Sequence, residues 1–162
     1  MMSELRIPTV ALAAEVLLAD GRTLVGRIFV PAAASRHSGP TRPEEWMNDV
    51  VAFFPFLPDP AGPDQPRASV VLNKHQVLVV SVQASADDAN AVSIPNRLEV
   101  RVIVECGARR LEGKIAIDMP QDHCRVLDYL NGPEPFLTLR DGARHHLIPK
   151  ERITRVIETR EE

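Results

Sequence analysis

Between Leu98 and Glu105 the chain alternates: Leu98, Val100, Val102 and Val104 fall on one side, and Glu99, Arg101, Ile103 and Glu105 on the other. A period of two with a mostly charged second face predicts a half-buried β-strand. Cys106-Gly107-Ala108 predicts a turn, and the run from Arg109 to Ile117 a second strand with Leu111, Gly113, Ile115 and Ile117 on one face. From Asp122 to Gly132 the period changes. Val126, Tyr129 and Leu130 share a helical face, Asp122 is an N-cap, and Asn131-Gly132-Pro133 is a stop. The segment predicts one short helix of about two to three turns. Phe136 to Leu139 reads as a strand, Asp141-Gly142 as a hairpin turn, and Arg144 to Ile148 as the next strand. Pro149-Lys150-Glu151-Arg152 breaks the pattern, and Ile153 to Ile157 resumes it.

The same order occurs earlier in the chain. Leu24-Val25-Gly26-Arg27-Ile28-Phe29-Val30 lies over Leu111-Glu112-Gly113-Lys114-Ile115-Ala116-Ile117. Pro55-Phe56-Leu57 lies over Pro135-Phe136-Leu137, and Asp49 falls near Asp128. Lys74-His75-Gln76-Val77 lies over Lys150-Glu151-Arg152-Ile153, with Val80 over Val156. Blocks that recur in one order predict a tandem duplication. Leu24 to Lys74 spans 50 residues and Leu111 to Lys150 spans 39, so the first copy holds 11 more. The extra residues fall in two proline-rich stretches, Pro31 to Pro43 and Pro58 to Pro66. These read as loops, because proline fixes φ and lacks an N–H. Glu44 to Val51, with the only tryptophan, Trp46, stands where the second copy has its helix.

The small, polar run from Ala84 to Asn96 reads as a linker, which divides the chain into a first repeat (1–83), a linker (84–96) and a second repeat (97–162). Gly26 and Gly113 hold equivalent inward positions on their strands. Glycine there lets a strand bend sharply, which points to strands curling around a small core. The expected fold is mainly β: two tandem small five-stranded barrels of SH3-like or Sm-like type, each with one short helix.

Arg125-x-x-Asp128-x-Leu130-Asn131, followed by Phe136-Leu137-x-Leu139 and Ile148-Pro149-Lys150-x-x-Ile153, resembles an uncharacterised bacterial family of small β-barrel domains. The resemblance covers nearly all of the second copy. The first copy keeps Asp49 but has no clear counterpart of Leu130-Asn131. The resemblance implies the barrel fold and no particular activity. Arg125, Asp128, Asn131 and Lys150 join Gly26 and Gly113 as expected structural positions. Asp128 and Asn131 are short polar residues near a helix C-terminus, suited to hydrogen-bonding the next loop.

Charge and composition narrow the chemistry. Seven basic residues face ten acidic ones through Asn90, and there are twelve of each beyond it, so neither half is a polybasic body. Aromatic residues make up 4% of the chain, too few for the stacking platforms of single-strand binders. Arg97-x-x-x-Arg101 has the arginine spacing of PilZ-type barrels, but the partner motif downstream is missing. An RNA- or nucleotide-binding barrel of Sm-like or PilZ-like type is therefore the alternative and not the first reading. Cys106, His123, Cys124, His145 and His146 form no metal-ligand spacing. His145 and His146 read as surface or hairpin histidines. No nucleophile lies beside a base at the required spacing, and no phosphate loop occurs. No catalytic, cofactor or metal site is expected.

The first residues lack the pattern of a secretory signal, and no apolar run reaches the length of a membrane span. The two cysteines read as free thiols of a reducing compartment, so a cytoplasmic protein is expected. What remains is a non-catalytic adaptor or scaffold for an unidentified protein partner, with homo-oligomerisation open. The apolar tract Ala52-Phe53-Phe54-Pro55-Phe56-Leu57 offers two roles. Phe53, Phe54 and Phe56, with Trp46, form a docking patch, or they seal the contact between the two copies.

Overall fold

The alternation along the chain becomes ten antiparallel strands in a computed structural model, which describes residues 8–34, 38–49, 51–60, 62–64, 68–83, 98–117 and 125–159. The first five strands are β1 (Thr9–Leu18), β2 (Thr23–Pro31), β3 (Phe53–Pro58), β4 (Val70–Asn73) and β5 (Val77–Gln83). The last five are β6 (Leu98–Cys106), β7 (Arg109–Ile117), β8 (Phe136–Asp141), β9 (Arg144–Pro149) and β10 (Ile153–Glu158). Two short helices, α1 (Pro43–Met47) and α2 (Val126–Leu130), precede β3 and β8. A single turn of 3-10 helix joins β4 to β5 (Lys74–Gln76) and β9 to β10 (Lys150–Arg152).

The fold is mainly β, but the ladders do not close into two separate barrels. They form one sheet in the order β10-β6-β7-β8-β9-β5-β1-β2-β3-β4. A strand has two edges. β5 pairs with β1 along one and with β9 along the other, Val80 opposite Leu147 and Ser81 opposite His146. That second pairing merges the halves. Within the sheet the first five strands run β5-β1-β2-β3-β4 and the last five β10-β6-β7-β8-β9, so each half returns its fifth strand to its first.

Two cores lie within this sheet. One gathers Val16 and Leu18 of β1, Ile28 and Val30 of β2, Met47 of α1, and Phe54 and Phe56 of β3. It also takes Phe136 and Leu147 from the second half. The other gathers Val102, Val104 and Cys106 of β6, Ile115 and Ile117 of β7, Val126 of α2, and Leu137 and Leu139 of β8. It takes Val79 from the first half. Each half thus lends apolar side chains to the other's core, and that burial stabilises the β5–β9 junction through the hydrophobic effect.

On β6 and β7 burial follows the period-two pattern, whereas β9 is buried at every residue from His145 to Pro149. Val102, Val104 and Cys106 are buried on β6, and β7 runs Arg109–Ile117 as expected. Gly107 and Gly142 take left-handed φ values of 58° and 56° at the two hairpin turns, which glycine adopts without a Cβ penalty. α2 starts only at Val126, with residues 118–124, including the expected cap Asp122, outside the described residues. The expected linker 84–96 also lies outside them.

Gly26 and Gly113 serve a closer purpose than bending. A Cβ on Gly26 would collide with the backbone of Leu57 and Pro58 on β3. A Cβ on Gly113 would meet the carbonyl oxygen of Arg140 on β8 at 2.5 Å and Leu139 Cγ at 2.9 Å. The following strand crosses directly over each glycine, which only a residue without a side chain permits.

Candidate interaction surface

Each helix is held from below by a lysine. The Lys74 ammonium donates to the carbonyl oxygens of Trp46 at 3.1 Å and Asp49 at 3.2 Å, and lies 5.8 Å from the centre of the indole ring. The Lys150 ammonium donates to the carbonyl oxygens of Tyr129 at 3.2 Å and Gly132 at 3.4 Å, and lies 5.3 Å from the tyrosine ring. Carbonyls at a helix C-terminus have no partner inside the helix, so a cation there satisfies them. Burial pulls the pKa of both lysines below the usual value, opposed by Asp49 at Lys74 and by Glu134 at Lys150.

These contacts give a register between the halves. The Lys74 backbone N–H donates to Ala52 and that of Lys150 to Pro135, both at 2.8 Å. Ala52 therefore stands where Pro135 does, Phe53 where Phe136 does, and Asn48 where Asn131 does. The alignment of Pro55 with Pro135 is off by three residues, and Leu130-Asn131 has a positional counterpart in Met47-Asn48.

The expected docking patch separates into three environments. Phe54 and Phe56 are buried to 1% and 0% exposure and belong to the first core, so they have no surface to offer. Trp46 packs partly buried against that core, edge-on to Phe54 with ring centres 5.5 Å apart. Phe53 alone of the three phenylalanines is exposed, at 55%. The alternation of β3 sends neighbours to opposite faces, which the run of phenylalanines conceals.

The Arg125 guanidinium donates to the Asp128 carboxylate at 3.0 Å along the outside of α2. An exposed pair of this kind is worth about 0–1 kcal/mol. Asn131 is the C-cap of α2, its backbone N–H donating to Leu127 and Tyr129. The side chain of its counterpart, Asn48, accepts the Phe136 N–H at 2.9 Å and so ties α1 to the second half.

His145 and His146 are buried, contrary to their reading as surface residues, because β9 is flanked by β8 and β5. Ser81 Oγ lies 2.6 Å from His146 Nδ1, and Asp141 Oδ2 lies 3.8 Å from His146 Nε2. Serine, histidine and aspartate meet here, Ser81 and His146 as register partners across the β5–β9 ladder and Asp141 from the end of β8, with the imidazole closed off from solvent. This polar pair holds the junction. Arg152 donates to the His75 carbonyl, and Glu151 lies 3.1 Å from His75 Nδ1, linking the two 3-10 turns beside it. Cys106 is free and buried, and burial pushes its thiol pKa up against the opposing charge of Arg109, away from a nucleophile's range. His123 and Cys124 lie outside the described residues. Among the described residues no three metal-ligating side chains cluster.

Several basic residues are matched by acids. Arg101 pairs with Glu112, Lys114 with Glu99, Arg144 with Glu15, and Arg155 with Glu105 through two hydrogen bonds. Arg97, the other half of the PilZ-type spacing, lies outside the described residues.

The sheet ends supply the open surface. Among the described residues no strand pairs with the outer edge of β4 or of β10. β4 reads Val-Val-Leu-Asn, without a charge. Val71 is 68% exposed and shares an outer face with Phe53, since Phe53 stands opposite Asn73 and Pro55 opposite Val71. Val51 adds a further exposed apolar side chain before β3. Natural edge strands are usually blunted by charge, proline or a bulge. Sequence reasoning missed β4, because four apolar and polar residues show no period until their partner strand is known.

No protein-family model, curated protein or solved structure matches the chain. No described helix is long and apolar enough to cross a membrane.

Proposed function

We propose that this chain is a non-catalytic protein-interaction module, an adaptor or scaffold, that holds a protein partner by strand addition at an exposed sheet edge. Its two halves are read as tandem, duplicated five-stranded units of SH3-like order, related to small bacterial β-barrel domains. The common strand order and the matching Lys74 and Lys150 contacts support that reading. A cytoplasmic setting is part of it, supported by the free thiol of Cys106.

The observation that carries the function is β4: an uncharged edge strand with Val71 exposed beside Phe53. Unpaired backbone groups along an edge supply hydrogen bonds to an added strand, and alternate side chains supply selectivity. The test is selection of peptides from a random display library against the full chain, followed by amide shifts in NMR spectra. Extended apolar peptides are expected to shift the amides of Val70 to Asn73, and Val71→Lys to weaken them about tenfold or more. Peptides that bind V71K equally well, or a selection that yields none, would remove the reading.

A further inference from the structure

We propose that the outer edge of β4 takes up the outer edge of β10 from a second copy of this chain, repeating between chains the junction that β5 and β9 make within one. The inference rests on β4 being a docking edge and names its partner. β9 holds in the last five strands the place that β4 holds in the first, and β5 holds the place of β10. Inside the chain those two places are joined, β9 to β5. The remaining β4 and β10 end the sheet. Among the described residues, one unused half of the same junction therefore stands at each end of the sheet.

The register follows from the two lysines. Counting from Lys74 and Lys150, Val71 holds the place of Leu147 and Val70 that of His146, while Val156 holds the place of Val80 and Ile157 that of Ser81. The internal pairs are Val80 with Leu147 and Ser81 with His146. A β4–β10 pair in the same register sets Val156 opposite Val71 and Ile157 opposite Val70. The polar serine–histidine pair is replaced by an apolar one, and all four side chains are apolar. Their present exposure fits that use. Val71 is 68% exposed where Leu147 is buried, and Val70 and Val156 are half-buried where His146 and Val80 are buried; Ile157, like its counterpart Ser81, is half-buried. Cross-strand apolar pairs stabilise a sheet, and here they lack only the facing strand. Because the two edges differ, the contact is head-to-tail, and it generates a ring or a filament according to the rotation between copies.

The experiment is light scattering on the full chain over rising concentration, with two edge variants. The wild-type mass is expected to exceed that of one chain. Val71→Lys and Ile157→Lys should each return it to one chain, with unchanged circular dichroism and Trp46 fluorescence; Val71→Glu and Ile157→Glu replace either variant that fails to fold. Mixed in equal amounts, the two folded variants should form a complex of two chains and no more, since one keeps β10 and the other keeps β4. A monomeric wild type, a variant that stays associated, or a mixture that stays monomeric would each overturn the proposal. A monomeric chain that still binds selected peptides at β4 overturns this inference alone. An oligomer that Val71→Lys dissolves, with no peptide bound, keeps it and removes the peptide reading.

Discussion

The Lys74 ammonium sits under the last turn of α1, donating to the Trp46 carbonyl oxygen at 3.1 Å while facing the indole ring of the same residue at 5.8 Å. One buried cation thus satisfies the end of a helix and fixes its aromatic side chain against Phe54. Lys150 holds the same place under Tyr129.

Lys74→Met keeps most of the apolar stem but removes both donors, leaving the carbonyls of Trp46 and Asp49 without them. The expected cost is roughly 1.5–3 kcal/mol, the range for a hydrogen bond to a charged group. Urea unfolding followed by Trp46 fluorescence measures it, and a loss under about 0.5 kcal/mol, the scatter of surface substitutions, would show that the lysine is incidental.

Gly113→Ala and Gly26→Ala both destabilise, and Gly26→Ala does so more. Overpacking a closed site costs about 1–3 kcal/mol. The added Cβ would approach the Leu57 carbonyl oxygen at Gly26 more closely than the Arg140 carbonyl oxygen at Gly113, and at Gly26 all three nearest atoms are backbone. Thermal melts of the two variants side by side check the ranking, and equal melting temperatures would contradict it.

His146 makes stability sensitive to acid. Burial lowers its pKa below the usual value, followed by the opposing pull of Asp141; Arg144 lowers it further and Glu15 raises it. A folded pKa below the unfolded one means that the unfolded chain binds the proton first. The histidine's contribution is therefore complete above about pH 6.5 and is lost as pH falls from there toward the folded value. Its slope is no steeper than about 1.4 kcal/mol per pH unit, the limit for one proton. Urea midpoints at pH 7.5 and pH 5.5 should differ more for the wild type than for His146→Gln. Equal differences would show that other groups carry the acid sensitivity.

Much of the second half was legible along the chain. Val102 and Val104 turn inward because alternate residues of a strand face opposite ways, a property needing only neighbours. Gly142 marks its hairpin turn for the same local reason. The Lys74–Trp46 contact was not legible, because the two residues are 28 apart and no local pattern links them. The docking patch was half legible. The phenylalanine run announced an apolar tract, but that it forms β3, and which of Phe53, Phe54 and Phe56 is exposed, depends on the strands that pair with it.

The sequence by itself determined the strands and turns of the second half and the inward glycines, since backbone preference and alternation are properties of a few adjacent residues. Only the tertiary structure decided the pairings: Ala52 beside Lys74, three residues from the aligned position, and β5 shared between β1 and β9. Register and edge use depend on which strand arrives as neighbour, and shifting a strand by one residue exchanges its buried and exposed faces. That choice buried His146 opposite Ser81 and left Val71 at the open edge.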